Sequence, residues 1–230
     1  MVKLSSILCT AATLLAGNAF AAYLDPAIPA QEKKDLKAAN IIPELLPEDF
    51  EPTSFLKITY GDKLVNAGEE LLPEEVVDMP HIWFPAPHMD RHYTMVMVDA
   101  DATVPLVKHW IATNVEGGKP GSGLRDTDPL HQYVPYHGPT PPEGTGKHRY
   151  VFILYEQSTA NQTLRPELQD PNVHRAFFNL ADFTQQNKLK PVAANYILVA
   201  HEDGYEGEYL SRHPEVSPGV PPAQTPTPTP

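Results

Sequence analysis

Three stretches of this sequence place titratable side chains where they could do chemistry together. The run Tyr93-Thr94-Met95-Val96-Met97-Val98-Asp99-Ala100-Asp101-Ala102 is apolar and ends in Asp-x-Asp. Two carboxylates at a strand mouth can bind a metal, an ammonium group, or the backbone amides of the following turn. The run Lys108-His109-Trp110-Ile111-Ala112-Thr113-Asn114-Val115 carries a histidine near its start, and a strand histidine is as readily a packed, hydrogen-bonded residue as a ligand. The third stretch, YHGPTPPEGTGKHRY over residues 136–150, holds three prolines and three glycines and delivers His148, Arg149 and Tyr150 onto the apolar VFILYEQ. Prolines fix φ and lower the entropy lost on ordering, and glycines let backbone approach a ligand, so the loop reads as built to hold one shape. Taken singly, none of the three decides a function.

Other chemistries fit less well. A phosphate-binding P-loop would need glycine at position 141 and Ser or Thr at 148, where Pro141 and His148 stand. A metal-dependent hydrolase using Asp99, Asp101, His109 and His148 as ligands is a remote alternative, because no His-x-x-x-His or comparable helical spacing is present. Nucleophilic hydrolysis has no Gly-x-Ser-x-Gly to carry it. No cofactor is expected.

The elements that must position these residues read as strands. Period-two alternation and β-branched or aromatic density predict strands at 56–60, 81–84, 93–99, 109–115, 149–155 and 194–201, bounded by Pro, Gly or Asp. His81, Trp83 and Phe84 read as core residues of a strand, and 85–92 as a turn. A short helical piece is expected at 31–40. A longer helix is expected at 172–189, with Phe177, Leu180, Ala181 and Phe183 near one face and Lys190-Pro191 as its stop. The fold class is therefore mainly β with peripheral helices.

The chain has 230 residues, 41% of them hydrophobic, enough for one well-cored domain. Residues 1–21 fit a secretory signal, with Lys3, an apolar stretch and Ala19-Phe20-Ala21, and are read as removed. Cys9, the single cysteine, lies inside that signal, so the mature chain is expected to lack both thiol and disulfide. Losing Lys3 takes the net charge from −12 to −13 (−12 minus one positive charge), which argues against a nucleic-acid partner. Residues 22–216 are read as one domain. Residues 217–230, a Pro/Thr tract, are read as an extended tail with no lipid-anchor signal. Asn161-Gln162-Thr163 is an N-glycosylation sequon. No segment reads as a transmembrane helix.

Together the three stretches resemble the phosphatidylethanolamine-binding protein family. One family signature is a strand ending in Asp-Pro-Asp-Ala-Pro, followed by a histidine-bearing strand ending in Asn; here it stands as MVMVDADATVPLVKHWIATNV. The second, Gly-x-x-Pro-Pro-x-Gly-x-Gly-x-His-Arg-Tyr before an apolar strand ending Tyr-Glu-Gln, stands as GPTPPEGTGKHRYVFILYEQ. The resemblance extends over roughly residues 40–212. It implies a large antiparallel sheet packed on a smaller sheet, with peripheral helices and a small anion-accepting cavity at one end. It places Asp99, His109, Pro142, His148 and Tyr150 in that cavity, with Gly138 and Pro141 at the rim; some relatives carry a tyrosine over the opening, for which Tyr209, or else Tyr205, is the candidate here. The loop is then the cavity wall, with His-Arg-Tyr aiming donors inward. The family's turn prolines are Ala100 and Thr103 here, and the connection from Asp101 to His109 is short.

The function this implies is a secreted, non-enzymatic binding protein for an anionic small molecule or phospholipid head group. Inhibition of a serine carboxypeptidase-type protease through the protein surface is the alternative. Phosphate affinity is expected to rise as pH falls through about 6.5, where an unperturbed histidine charges.

Overall fold

The computed structural model describes residues 27–88, 90–117, 124, 131–164 and 175–204. Among the described residues, nine strands form two sheets. Strands β1 (Lys57–Tyr60), β2 (Lys63–Val65) and β4 (His81–Trp83) make a three-stranded sheet in the order β2-β1-β4. The larger, six-stranded sheet runs β3-β9-β8-β5-β6-β7. Its strands are β3 (Glu69–Glu70), β5 (Tyr93–Asp99), β6 (Val107–Val115), β7 (His131–Val134), β8 (Lys147–Glu156) and β9 (Lys190–Ala200). All its neighbours are antiparallel except the two-residue β3, which lies parallel to β9.

Alternation along the strands sorts the core into two layers. Met95 and Met97 of β5, Trp110 of β6, and Tyr150, Phe152 and Leu154 of β8 face the small sheet's Ile58, Tyr60 and Ile82. Their neighbours Val96, Val98, Ile111, Val151 and Ile153 face the other way. That second face is covered by α1 (Ala27–Ala38) through Leu36, by a helical turn at Ile41–Glu44, and by α2 (Leu180–Gln186) through Leu180 and Phe183. With both faces covered, all seven residues of β5 are buried, which is why it reads as a continuous apolar run.

Six strands fall where the sequence places them, with ends shifted by a few residues. β2, β3 and β7 were not legible, being four residues long or fewer and partly charged. The Gly61-Asp62 turn joins β1 to β2, with Gly61 at φ 54°. The expected helix at 172–189 is corrected: within the described residues only Leu180–Gln186 is helical. Phe177 sits at φ 59° immediately before it, and the Asn179 side chain accepts a hydrogen bond from the Asp182 amide at 3.0 Å, capping a helix that starts there. Phe177 and Ala181 are exposed, while Phe178, Leu180 and Phe183 make the buried face. Lys190 and Pro191 are not a helix stop but the start of β9, where Pro191 pairs with Tyr155 at a register shift in β8.

Candidate functional site

One end of the large sheet gathers the candidate residues. Asp99 is the last residue of the central strand β5, and its cross-strand partner on β8 is Tyr150. His148, two residues earlier on β8, has the same facing as Tyr150. His109 reaches this face by a different device. Trp110 pairs with Met97 and Lys108 with Val98, so His109 is the extra residue of a β-bulge in β6. Simple alternation would turn His109 toward the helix-covered face with Ile111; the bulge re-aims it beside Tyr150, ring centroids 5.0 Å apart.

The four residues are buried, with Asp99 4%, His109 5%, His148 1% and Tyr150 0% exposed. His148 Nδ1 donates to Asp99 Oδ2 at 2.8 Å, and the Asp101 amide donates to Asp99 Oδ1 at 2.9 Å. His148 Nε2 bonds the Thr145 hydroxyl at 2.7 Å, and that hydroxyl also donates to the Pro142 carbonyl at 2.7 Å. Both ring nitrogens of His148 are thus engaged. His109 Nδ1 donates to the His137 carbonyl at 2.8 Å, which leaves Nε2 as the lone-pair nitrogen of the neutral ring. Burial, assisted by neighbouring His137, holds the His109 pKa down at about 3. Burial and then the Asp99 charge push the Tyr150 phenol far above its usual range. The Tyr150 hydroxyl lies near Asp99 and the Thr140 backbone but makes no hydrogen bond of acceptable geometry.

The proline-glycine loop holds these groups in place. Gly138 is packed so closely on the 3₁₀ turn Pro73–Val76 that a Cβ there would stand 2.8 Å from the Val76 carbonyl oxygen. Pro141 is buried, and its carbonyl accepts from His201 Nδ1 at 3.1 Å. Pro142 is exposed, so its role is to anchor Thr145 through its carbonyl rather than to line a cavity. Gly144 and Gly146 adopt φ of 76° and 82°, the left-handed values their tight turn requires. Tyr209 lies outside the described residues. Asn161 is exposed on a turn, at the other end of β8.

Arg149 does not aim into the site, because alternation sends it to the opposite face from His148 and Tyr150. There it donates to Asp101 through its backbone N–H (2.7 Å), Nε (2.9 Å) and a terminal nitrogen (2.7 Å), and pairs with Glu44 at 2.9 Å. Asp101 is a clamp for Arg149 rather than a ligand. Burial raises its pKa, but the Arg149 contacts outweigh that and hold it below the usual carboxylate range. Among the described residues no group of three or more His, Cys, Asp or Glu side chains is arranged to hold a metal ion. Sequence reasoning missed Thr145, His137 and the clamp between Asp101 and Arg149. Period-two spacing within His148-Arg149-Tyr150 was the available signal for the last of these.

A groove of about 770 Å³ does occur on the described surface, but on the helix-covered side. It is lined by Pro43, Leu45, Leu106, Phe177, Phe178 and Pro191 among others, and Phe177 is 69% exposed. It shares no residue with the Asp99 constellation.

The sequence profile described as "phosphatidylethanolamine-binding protein" matches residues 48–197, a span that includes every described site residue. CEN-like protein 1 of Nicotiana tabacum is 33% identical over 175 residues, covering 73% of this chain and 92% of its own. Protein TERMINAL FLOWER 1 of Arabidopsis thaliana is 30% identical over 161 residues, covering 66% of this chain and 83% of its own. Among solved structures, the phosphatidylethanolamine-binding protein of Plasmodium vivax superposes with a TM-score of 0.63 at 24% identity, over 74% of this chain and 97% of that one. A carboxypeptidase Y inhibitor, solved in complex with its cognate proteinase, superposes with a TM-score of 0.63 at 21% identity, over 76% and 97%. Profile, relatives and fold agree: the chain belongs to the phosphatidylethanolamine-binding protein family.

Proposed function

We propose that this protein is a non-enzymatic binding protein whose site, at the Asp99 end of the large sheet, takes a small phosphate-type head group. The observation that carries the reading is the convergence of Asp99, His109, His148 and Tyr150 from three adjacent strands, with His148 locked between Asp99 and Thr145. A titratable cluster of this kind, held by a rigid loop at the end of a sheet, supports a preorganised recognition site over a packed core. The signal-like residues 1–21 support export, and the exposed sequon at Asn161 supports glycosylation of an exported chain.

The test is calorimetric titration of the full chain with phosphoethanolamine and inorganic phosphate at pH 6, beside Asp99→Ala and His109→Ala variants whose fold is checked by circular dichroism. Saturable binding that both variants lose supports the reading. Folded protein that binds neither ligand sinks it. A second reading, inhibition of a serine carboxypeptidase, draws support from the exposed Phe177 beside the apolar groove, a surface suited to a protein contact. Carboxypeptidase activity left unchanged by excess protein would dismiss it.

A further inference from the structure

We propose that Thr145 is a positioning residue that fixes the charge of the site: it obliges His148 to carry a proton on both ring nitrogens, so that Asp99 and His148 form a net-neutral ion pair. Joined to the phosphate reading above, on which its binding consequence rests, this means that a phosphate ligand need not bring a cation of its own.

The proton count follows from one hydroxyl. Thr145 has a single O–H, and its oxygen lies 2.7 Å from the Pro142 carbonyl and 2.7 Å from His148 Nε2. A carbonyl only accepts, so the hydroxyl proton points at Pro142 and the hydroxyl lone pair receives the Nε2 proton. The reverse assignment would leave two oxygens 2.7 Å apart with no proton between them. On the other side of the ring, Nδ1 stands 2.8 Å from Asp99 Oδ2, while Asp99 Oδ1 accepts from the Asp101 amide at 2.9 Å. Imidazole is a stronger base than a carboxylate, with ordinary pKa values of about 6.5 and 3.9, so the proton between them sits on the ring. The turn keeps the hydroxyl in place. Thr145 lies between the left-handed Gly144 and Gly146, and its amide donates to the same Pro142 carbonyl at 3.3 Å.

No other described charge takes over this role. On β6 the His109 ring is neutral, its pKa held at about 3 by burial and then by His137, which itself faces the Gly138 carbonyl. On β8 the Tyr150 ring stacks on His148 at 6.3 Å, and its phenol, pushed far above its usual range by burial and then by Asp99, is neutral too. Arg149 is held on the opposite face by Asp101 and Glu44, and Lys147 pairs with Glu70 at 2.7 Å. On β9 the cross-strand partner of His148 is Val199, and His201 faces the Pro141 carbonyl and Asp203. Glu143, on the turn, is exposed. The charge of Asp99 is thus balanced by His148 alone. If the ring kept only its Nδ1 proton, the site would carry an uncompensated carboxylate, which repels an anion.

The experiment uses the full chain with Thr145→Val, which keeps the shape and removes the hydroxyl, and Thr145→Ser, which restores it. Thr145 is exposed, so neither change disturbs the core. Nitrogen NMR of the His148 ring at pH 7, assigned by the signals that His148→Gln loses, is expected to show both nitrogens protonated in the parent and in Thr145→Ser, and Nε2 without its proton in Thr145→Val. Calorimetry at pH 7 supplies the binding arm. The parent should bind methyl phosphate and phosphoethanolamine within about 5-fold of each other, the scale of an exposed ion pair that the site does not need. Thr145→Val should weaken methyl phosphate at least about 10-fold, and phosphoethanolamine, which carries its own ammonium, by less. A parent His148 with either nitrogen bare, or a Thr145→Val protein that keeps both protons, overturns the inference and leaves phosphate binding intact. Folded parent protein that binds neither ligand sinks the phosphate reading, and the NMR result then decides the charge of the pair by itself.

Discussion

Replacing Asp101 with alanine tests the clamp that holds Arg149 against the sheet. The carboxylate accepts three hydrogen bonds from Arg149, at 2.7, 2.9 and 2.7 Å, and each bond to a charged group contributes roughly 1.5–3 kcal/mol when measured singly. The three share one carboxylate and are not additive. Arg149 also keeps Glu44 at 2.9 Å, and the pair is partly exposed, at 17% and 31% of their side chains. A net loss of about 2–3 kcal/mol follows, below the cost of breaking a fully buried ion pair. At about 2–4 °C per kcal/mol for a chain of this size, Tm should fall by roughly 5–10 °C in a circular-dichroism melt at pH 7. The loss should depend on Arg149: in a double-mutant cycle with Arg149→Met, most of the Asp101→Ala effect disappears. The contribution also has a pH sign. Because Arg149 holds the Asp101 pKa below its unfolded value of about 3.9, the stabilisation is present above that value and fades as pH falls through the lower folded pKa. A variant melting within about 1 °C of the parent at pH 7, or a cycle showing no coupling, would refute this account of the clamp.

Four further expectations rest on separate contacts. Gly138→Ala should cost roughly 1–3 kcal/mol, read as a lower urea midpoint, because its Cβ would stand 2.8 Å from the Val76 carbonyl oxygen; an unchanged midpoint would show that the loop yields freely. Gln157→Leu strips the buried partner from Thr94, Thr113 and the Asn114 amide, and should destabilise by about 2–4 kcal/mol in the same assay. Tyr150→Phe removes a buried hydroxyl that has no partner, so stability should stay within about 1 kcal/mol of the parent or rise, even as ligand binding weakens. Glu32 is buried in α1 with only the Leu56 amide as partner, and burial raises its pKa to about 8. The folded state then holds the proton more tightly than the unfolded chain, so stability should fall as pH rises from about 4.3 toward 8. Glu32→Gln should remove most of that slope, and a parent Tm that is level over this range would count against the buried carboxyl.

The sequence carried the sheet and most of the candidate site's geometry because both are written in local pattern. Tyr93–Asp99 is apolar at every position but Thr94 and its final Asp99, close to what a strand covered on both faces requires. The loop from Gly138 to Tyr150 announces its rigidity through its own prolines and glycines. The Tyr-Glu-Gln ending of β8 was legible as a motif but not as a role: Gln157 is the hub of a buried polar network at the end of the sheet away from Asp99. The end of the helix pattern at Phe177 was not legible, since a left-handed phenylalanine is disfavoured locally and is held there by its surroundings.

What the sequence determined by itself, then, is that strands bearing Asp99, His148 and Tyr150 exist and that a stiff turn joins them to the rest. The tertiary structure alone decided which way the other groups point. Arg149 lies between two site residues and faces away, as the pleat demands once β8 is paired. His109 should face away by its place in β6 and instead faces in, because one extra residue against Met97 bulges the strand. A bulge is set by the register of two strands distant in sequence, so no reading of residues 107–115 taken alone could contain it. The same holds for the neutrality of His109, which follows from burial beside His137 and from the carbonyl that takes its proton, both supplied by chain some thirty residues away.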